Sequence, residues 1–173
     1  EHLRRLVEDL LDVSRITSGK IELRREQVEL ASAVSRAIEM ARPLLEQKRS
    51  ELVVEVPQHG LVIDGDPARL AQIVSNLVTN AAKYSDAGTW IEIRAQRRND
   101  LVELAVTDHG IGIDATYIDR VFNRFTQVPQ GLDRSADGLG LGLAIVRSLG
   151  DQHGGRVHET SAGLGWGSTF TVE

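Results

Sequence analysis

The alternation of apolar and polar positions is clearest between residues 66 and 84. Asp66 is a good helix N-cap and Pro67 a favoured first helical residue, so the spacing predicts a helix that begins here and runs to about Tyr84. With successive side chains turned by about 100°, Leu70, Ile73, Val74, Leu77 and Ala81 fall on one broad stripe that must face a core. Asn76, Asn80 and Lys83 form a second stripe beside it, at spacings of four and three. Packing does not account for that second stripe. Two amides and an amine in a row offer carbonyl oxygens to a hard cation and positive charge to an anion. A solvated helix face is the plainer alternative.

Residues 1–18 carry Leu3, Leu6, Leu10, Val13 and Thr17 at alternating spacings, widened by Val7 and Leu11, and Gly19 supplies a stop. This predicts an amphipathic helix whose seam wants a partner. Either it folds back on its own domain, or it is the tail of a helical dimerisation module whose first part lies upstream. The chain begins abruptly in helical sequence, which suggests a longer parent. Extended pieces are expected around 21–23 and 28–30, then a helix over about 31–48 with Val34, Ile38 and Leu45 inward. Pro43 demands a kink there or a shifted start. Residues 52–56 and 61–63 read as strands joined by a turn at 57–60.

Residues 90–95 and 101–106 alternate with period two around Asn99 and Asp100, so they predict a hairpin whose second strand delivers Asp108 at its end. From 113 to 137 the chain is polar and punctuated by Gly and Pro, with local helical character over about 114–122. It reads as a long mobile loop of the kind that is usually functional. A helix over about 139–153 follows, then strands at 156–160 and 168–172 around a glycine-rich turn. There is no regular β-α-β alternation. The expected fold is α+β: a two-layer α/β sandwich with a mixed sheet and helices on one face, preceded by an N-terminal helix.

Composition narrows the function. With 173 residues and 41% hydrophobic content the chain can bury one good core. A net charge of −5 argues against a general nucleic-acid or anionic-membrane binder. The absence of cysteine excludes disulfides and thiolate metal sites. No apolar run approaches the roughly 20 residues that span a bilayer, and no signal peptide is visible at Glu1.

Three further stretches bear on the polar stripe. Asp108 lies just past a strand end with Gly110 and Gly112 after it. A carboxylate there can accept a hydrogen bond from an exocyclic amine while the glycines let a flat ring approach the backbone. A tight turn would use the same residues. Gly138, Gly140 and Gly142, with Leu139, Leu141 and Leu143 between them, open a helix after a loop. Free backbone N–H groups would point at whatever lies in front. A helix end adds only about 0.3–1 kcal/mol per nearby charge, so Lys83 and a divalent cation on Asn80 are the natural supplements for a triphosphate. The third stretch is Gly165-Trp166-Gly167-Ser168-Thr169-Phe170. No Gly-x-x-x-x-Gly-Lys-Ser/Thr loop is present, and neither is the catalytic loop of the Ser/Thr/Tyr kinases.

Taken in order, these boxes resemble the sensor histidine kinases, within the superfamily that includes gyrase B subunits, chaperone ATPases and mismatch-repair ATPases. The matching residues are Asn76 to Tyr84, Asp108 to Ile113, Phe122 to Phe125, Gly138 to Val146, and Gly165 to Phe170. The resemblance implies a Bergerat-type ATP-binding fold with ATP and Mg²⁺ as cofactors. Asp108 would read the adenine amino group, supported by Thr169 from the neighbouring strand. Tyr84 and Ile113 would wall the base, with Gly110 and Gly112 against it. Asn80 would bind Mg²⁺, Lys83 would touch phosphate, and Asn76 would line the same stripe. Phe122 and Phe125 would anchor a lid, although packing explains them nearly as well. Arg124 would approach the phosphates, and Gly138, Gly140, Leu141, Gly142 and Leu143 would supply backbone donors. Asn76, Lys83 and Arg124 would be the catalytic set.

In hydrolysing relatives the residue four before the metal-binding Asn is typically a glutamate that activates water. Here it is Asn76, which has no basic lone pair for that work, so transfer to another nucleophile is favoured over hydrolysis. The family's phosphoacceptor resembles His-Glu/Asp followed by Pro on a helix. His2, His59, His109, His153 and His158 all stand in other contexts. The acceptor is therefore expected upstream of Glu1. On this reading residues 1–19 end a dimerisation and phosphotransfer helix, 20–30 are a linker and 31–173 are the catalytic domain. His109 stands where Asn or Thr is usual and Leu139 where Thr or Ser often stands; the second departure, with Phe125 to Val128, is similar to hybrid kinases. The implied function is transfer of the ATP γ-phosphoryl to a histidine on a dimerisation domain, in a cytoplasmic part of a parent that could be membrane-anchored. Partners would be that domain and a response-regulator receiver domain, with no nucleic acid and no direct membrane contact. A non-catalytic ATP-sensing module that orders its lid for a partner is the alternative, and an ATP-hydrolysing clamp is disfavoured by Asn76.

Overall fold

A computed structural model describes Val7, Leu11, residues 22–126 and residues 139–173. Val7 and Leu11 are helical and exposed. The rest of the expected first helix, and Gly138 with the second half of the expected loop, lie outside the described residues.

The element order is β1 (Glu26–Glu29), α1 (Leu30–Lys48), β2 (Glu51–Glu55), β3 (Val62–Gly65), α2 (Pro67–Tyr84), β4 (Trp90–Arg98), β5 (Leu101–Asp108), a 3₁₀ turn (Ile118–Arg120), α3 (Gly142–Gln152), β6 (Val157–Thr160) and β7 (Ser168–Val172). Five strands form the main sheet in the order β2-β4-β5-β7-β6. β2 runs parallel to β4 and every other neighbouring pair is antiparallel, so the sheet is mixed as expected.

Period two sorts the sheet's faces. Ile91, Ile93, Leu104, Val106 and Phe170 are buried in one core with Val34, Ala37 and Ala41 of α1, Ile73, Val74 and Leu77 of α2, and Ile145, Val146 and Leu149 of α3. The opposite face carries Glu92, Arg94, Gln96, Glu103, Thr107 and Thr169, and there Arg94 pairs with Glu55 at 2.7 Å and Glu92 at 3.0 Å. Such exposed pairs contribute little to stability, but they keep that face polar.

Four expectations needed adjustment. The strands at 52–56 and 61–63 do not make a hairpin. β2 is an edge of the main sheet, whereas β3 pairs antiparallel with β1 in a separate two-stranded sheet, Val28 opposite Ile63. Leu61, between them, is buried in the helical layer, and its carbonyl accepts from Leu30 N at 2.9 Å, which turns the chain away from the main sheet. Helix α1 passes unbroken through Pro43 and starts at Leu30. The acceptor that Pro43 leaves without an N–H belongs to Glu39, on the exposed side where water can serve it. The helix expected from residue 139 begins only at Gly142, because Gly140 takes φ +67° and ends any earlier helical run. Between Ile113 and Thr126 the chain is turns rather than open loop, and Val121 and Phe122 are buried in the core.

Candidate nucleotide site

The site is organised by α2. Asp66 caps it: Oδ1 accepts from Ala68 N at 3.0 Å and Arg69 N at 3.1 Å, while Oδ2 accepts from Arg24 N at 3.0 Å. Burial alone would push the Asp66 carboxyl up, but the three backbone N–H bonds, aided by the Arg69 charge, hold it below the usual aspartate value. The apolar stripe Leu70, Ile73, Val74, Leu77 and Ala81 is buried, and Asn76, Asn80 and Lys83 are half-buried along its border. Asn76 Nδ2 donates to Gly142 O at 3.4 Å, so the stripe meets the first turn of α3. The Lys83 ammonium lies 5.3 Å from the centre of the Tyr84 ring, within cation–π range. Tyr84 is half-buried, and burial raises its phenol pKa.

At the end of β5, Asp108 is only 4% exposed. Its Oδ1 accepts from Gly110 N at 2.9 Å and its Oδ2 from Ser168 Oγ at 2.6 Å. Burial is the largest influence on this carboxyl and raises its pKa, against the pull of those bonds and of His109. Asp108 lies directly opposite Ser168 in the β5–β7 ladder, and Thr107 opposite Thr169. The expected support from Thr169 is therefore corrected. Its hydroxyl meets that of Thr107 at 2.9 Å on the outer face, because successive side chains alternate, and Ser168 reaches the carboxylate. The signal was present in the sequence: if Phe170 faces the core, Ser168 does too and Thr169 does not.

The glycines after Asp108 are needed where chain crosses chain. A methyl group at Gly110 would run into Tyr84 O, and one at Gly112, where φ is +70°, into Gly163 O. Three backbone bonds stitch the crossing: Ile111 N to Tyr84 O at 3.0 Å, Gly167 N to Gly110 O at 3.2 Å and Gly165 N to Ile111 O at 2.7 Å. Ile113 is buried beyond it, its N–H donating to Ser161 Oγ at 3.1 Å.

Gly140 O accepts from Phe125 N at 3.1 Å. Leu141 is buried and precedes α3, so Gly142 and Leu143 fall in a first turn whose N–H groups have no partner within the helix. Phe122 is 4% exposed, edge-on to Phe170 at 6.0 Å, with the Arg147 guanidinium 4.7 Å from its ring centre. Phe125 departs from the expectation of a second anchor: it is 63% exposed and takes φ +61°. Its neighbour Arg124 is also exposed. The structure thus joins Asn76 to the start of α3, and Tyr84, Asp108, Gly110 and Gly112 to one another through the crossing. Gly138 lies outside the described residues.

A family described as histidine kinase-, DNA gyrase B- and HSP90-like ATPase matches residues 65–173. Among curated proteins, the circadian input-output histidine kinase CikA of Synechococcus elongatus is 33% identical over 174 residues, covering 99% of this chain and 23% of that protein. The sensor-like histidine kinase SenX3 of Mycolicibacterium smegmatis is 34% identical over 167 residues, 96% of this chain and 43% of that protein. The chain thus spans less than half the length of these two relatives. The solved structure of full-length ShkA in complex with AMPPNP superposes with a TM-score of 0.80 at 31% identity, covering 99% of this chain and 35% of that one. On its sequence, its fold and these likenesses, the chain belongs to the histidine kinase-, DNA gyrase B- and HSP90-like ATPase family, in the branch of sensor histidine kinase catalytic domains.

Proposed function

We propose that the chain binds Mg-ATP and transfers its γ-phosphoryl group to a histidine of a dimerisation domain in the same protein, for later delivery to a receiver domain. The observation that carries this reading is the Asp108 carboxylate, buried at a strand end and given hydrogen bonds by Ser168 and Gly110. A buried carboxylate is costly unless its remaining lone pairs find donors, and an adenine amino group supplies one. The AMPPNP complex of ShkA supports the same ligand class.

In this reading Tyr84 and Ile113 flank the base. Asn76, Lys83, Arg124 and the N–H groups of Gly140 to Leu143 serve the phosphates. Among the described residues no group of three His, Cys, Asp or Glu side chains could hold a metal ion. A half-buried Asn80 amide oxygen fits Mg²⁺ nonetheless, because this ion keeps waters and takes most of its other ligands from phosphate. Bound there, it would neutralise phosphate charge. Asn76 offers no base for activating water, which supports transfer over hydrolysis. No helix among the described residues is long and apolar enough to cross a membrane.

Mixing the protein with a histidine-bearing dimerisation domain and γ-labelled ATP tests the proposal. Acid-labile label on histidine is the expected result. Nucleotide binding with no label transferred to a competent acceptor would contradict it and favour the ATP-sensing alternative.

A further inference from the structure

His153 ends α3 and makes two side-chain contacts of opposite sense. Its Nδ1 lies 2.7 Å from Leu149 O, which can only accept, and its Nε2 lies 3.1 Å from Asp66 N, which can only donate. The two bonds together are those of the tautomer that carries its proton on Nδ1. Gly65 makes room for it: a methyl group there would stand 2.9 Å from His153 Cδ2. All the polar atoms of Asp66 that could hold this joint are in use. Its N–H goes to His153, its Oδ1 to the first turn of α2, and its Oδ2 to Arg24 N. Arg25 closes the joint from outside, its guanidinium donating to Gln152 O at 2.8 Å and Asp64 O at 3.3 Å.

Besides the apolar packing between the two helices, a second polar contact joins them among the described residues: Asn76 Nδ2 on Gly142 O. Counting along each helix, 76 − 66 gives ten residues on α2 and 153 − 142 gives eleven on α3. At about 1.5 Å per residue, two antiparallel helices are fastened at points roughly 15 Å apart. Helices are stiff over this length, so the first fastening is in a position to set the geometry of the second.

We propose that His153 is a positioning residue of the nucleotide site, an imidazole that pins the start of α2 to the end of α3 and thereby sets how the Asn76–Asn80–Lys83 stripe stands against the first turn of α3. This inference rests on the nucleotide reading given above. It also makes the segment carrying Arg24 and Arg25 part of the same joint.

Two substitutions separate the ring nitrogens. In His153→Gln the side-chain oxygen reaches the place of Nε2 and can still accept from Asp66 N–H. In His153→Asn the amide reaches only the place of Nδ1, keeping the bond to Leu149 O and abandoning Asp66. Affinity for Mg-AMPPNP by calorimetry and thermal melting are measured on both. His153→Gln is expected within about threefold of wild type and His153→Asn about tenfold weaker, the loss of one hydrogen bond of ordinary strength at the joint. A local role at the end of α3 would reverse that order. His153→Asn binding like wild type, or His153→Gln weakened as much as His153→Asn, overturns the proposal. A folded wild type that binds no nucleotide overturns the site reading itself, and this proposal with it. Should His153→Asn fail to fold, nitrogen-15 NMR of the wild-type ring decides: the proton is expected on Nδ1, and a proton on Nε2 overturns the joint.

Discussion

Ser168 Oγ donates to Asp108 Oδ2 at 2.6 Å across the β5–β7 ladder, and so orients the buried carboxylate. A hydrogen bond to a charged group is worth about 1.5–3 kcal/mol. Ser168→Ala is therefore expected to weaken ATP binding by roughly tenfold or more. Thr169→Val, which removes a hydroxyl facing Thr107, is expected to change it by less than about threefold. Calorimetric titration of both variants checks the order.

Two carboxylates give opposite pH dependences. Burial places the folded pKa of Asp108 above the ordinary 3.8, so its contribution to stability is full below that value and is lost as pH rises through the folded pKa. Asp66 is lowered from 3.8, so its contribution is present above that value and lost as pH falls through the depressed one. Asp108→Asn is accordingly expected to melt no lower than wild type at neutral pH while losing nucleotide affinity. In wild type, affinity is expected to fall on acidification at a pH above 3.8, because the protonated acid loses an acceptor. Melting and binding measured across a pH series test both signs.

The glycines divide by what a methyl group would meet. Gly110→Ala drives a carbon into Tyr84 O, and overpacking of this kind costs about 1–3 kcal/mol. At Gly142, the first residue of α3, the nearest atom is Asn76 Cγ at 3.9 Å, an ordinary contact, and a helical backbone position accepts Ala. Gly110→Ala should lower the melting temperature clearly, whereas Gly142→Ala should leave it unchanged or raised.

Phe122 and Phe125 should behave differently. Truncating the buried Phe122 to Ala is expected to cost about 3–5 kcal/mol in denaturant unfolding. Phe125 is 63% exposed with φ +61°, and Phe125→Gly is expected to be neutral or mildly stabilising, since glycine relieves that backbone conformation.

Much of this was legible in the chain. The Asp66 cap, the α2 stripes and the β4–β5 hairpin follow from local rules, because capping and periodicity act within one element. What escaped depends on contacts between distant segments. β2 and β3 follow each other in sequence yet join different sheets, a choice set by β4 and β1. His153 looked like an ordinary helix end because its partner Asp66 lies 87 residues away. Thr169 was a different kind of miss: strand alternation around Phe170 already pointed to Ser168.

The central claim is that Asp108 holds the adenine of ATP. Calorimetric titration of the folded wild type and of Asp108→Asn with Mg-ATP, each sample verified by its melting transition, tests it directly. Saturable binding by wild type and its loss in the variant is the predicted result. No binding by the native protein, or wild-type affinity in Asp108→Asn, would contradict the account.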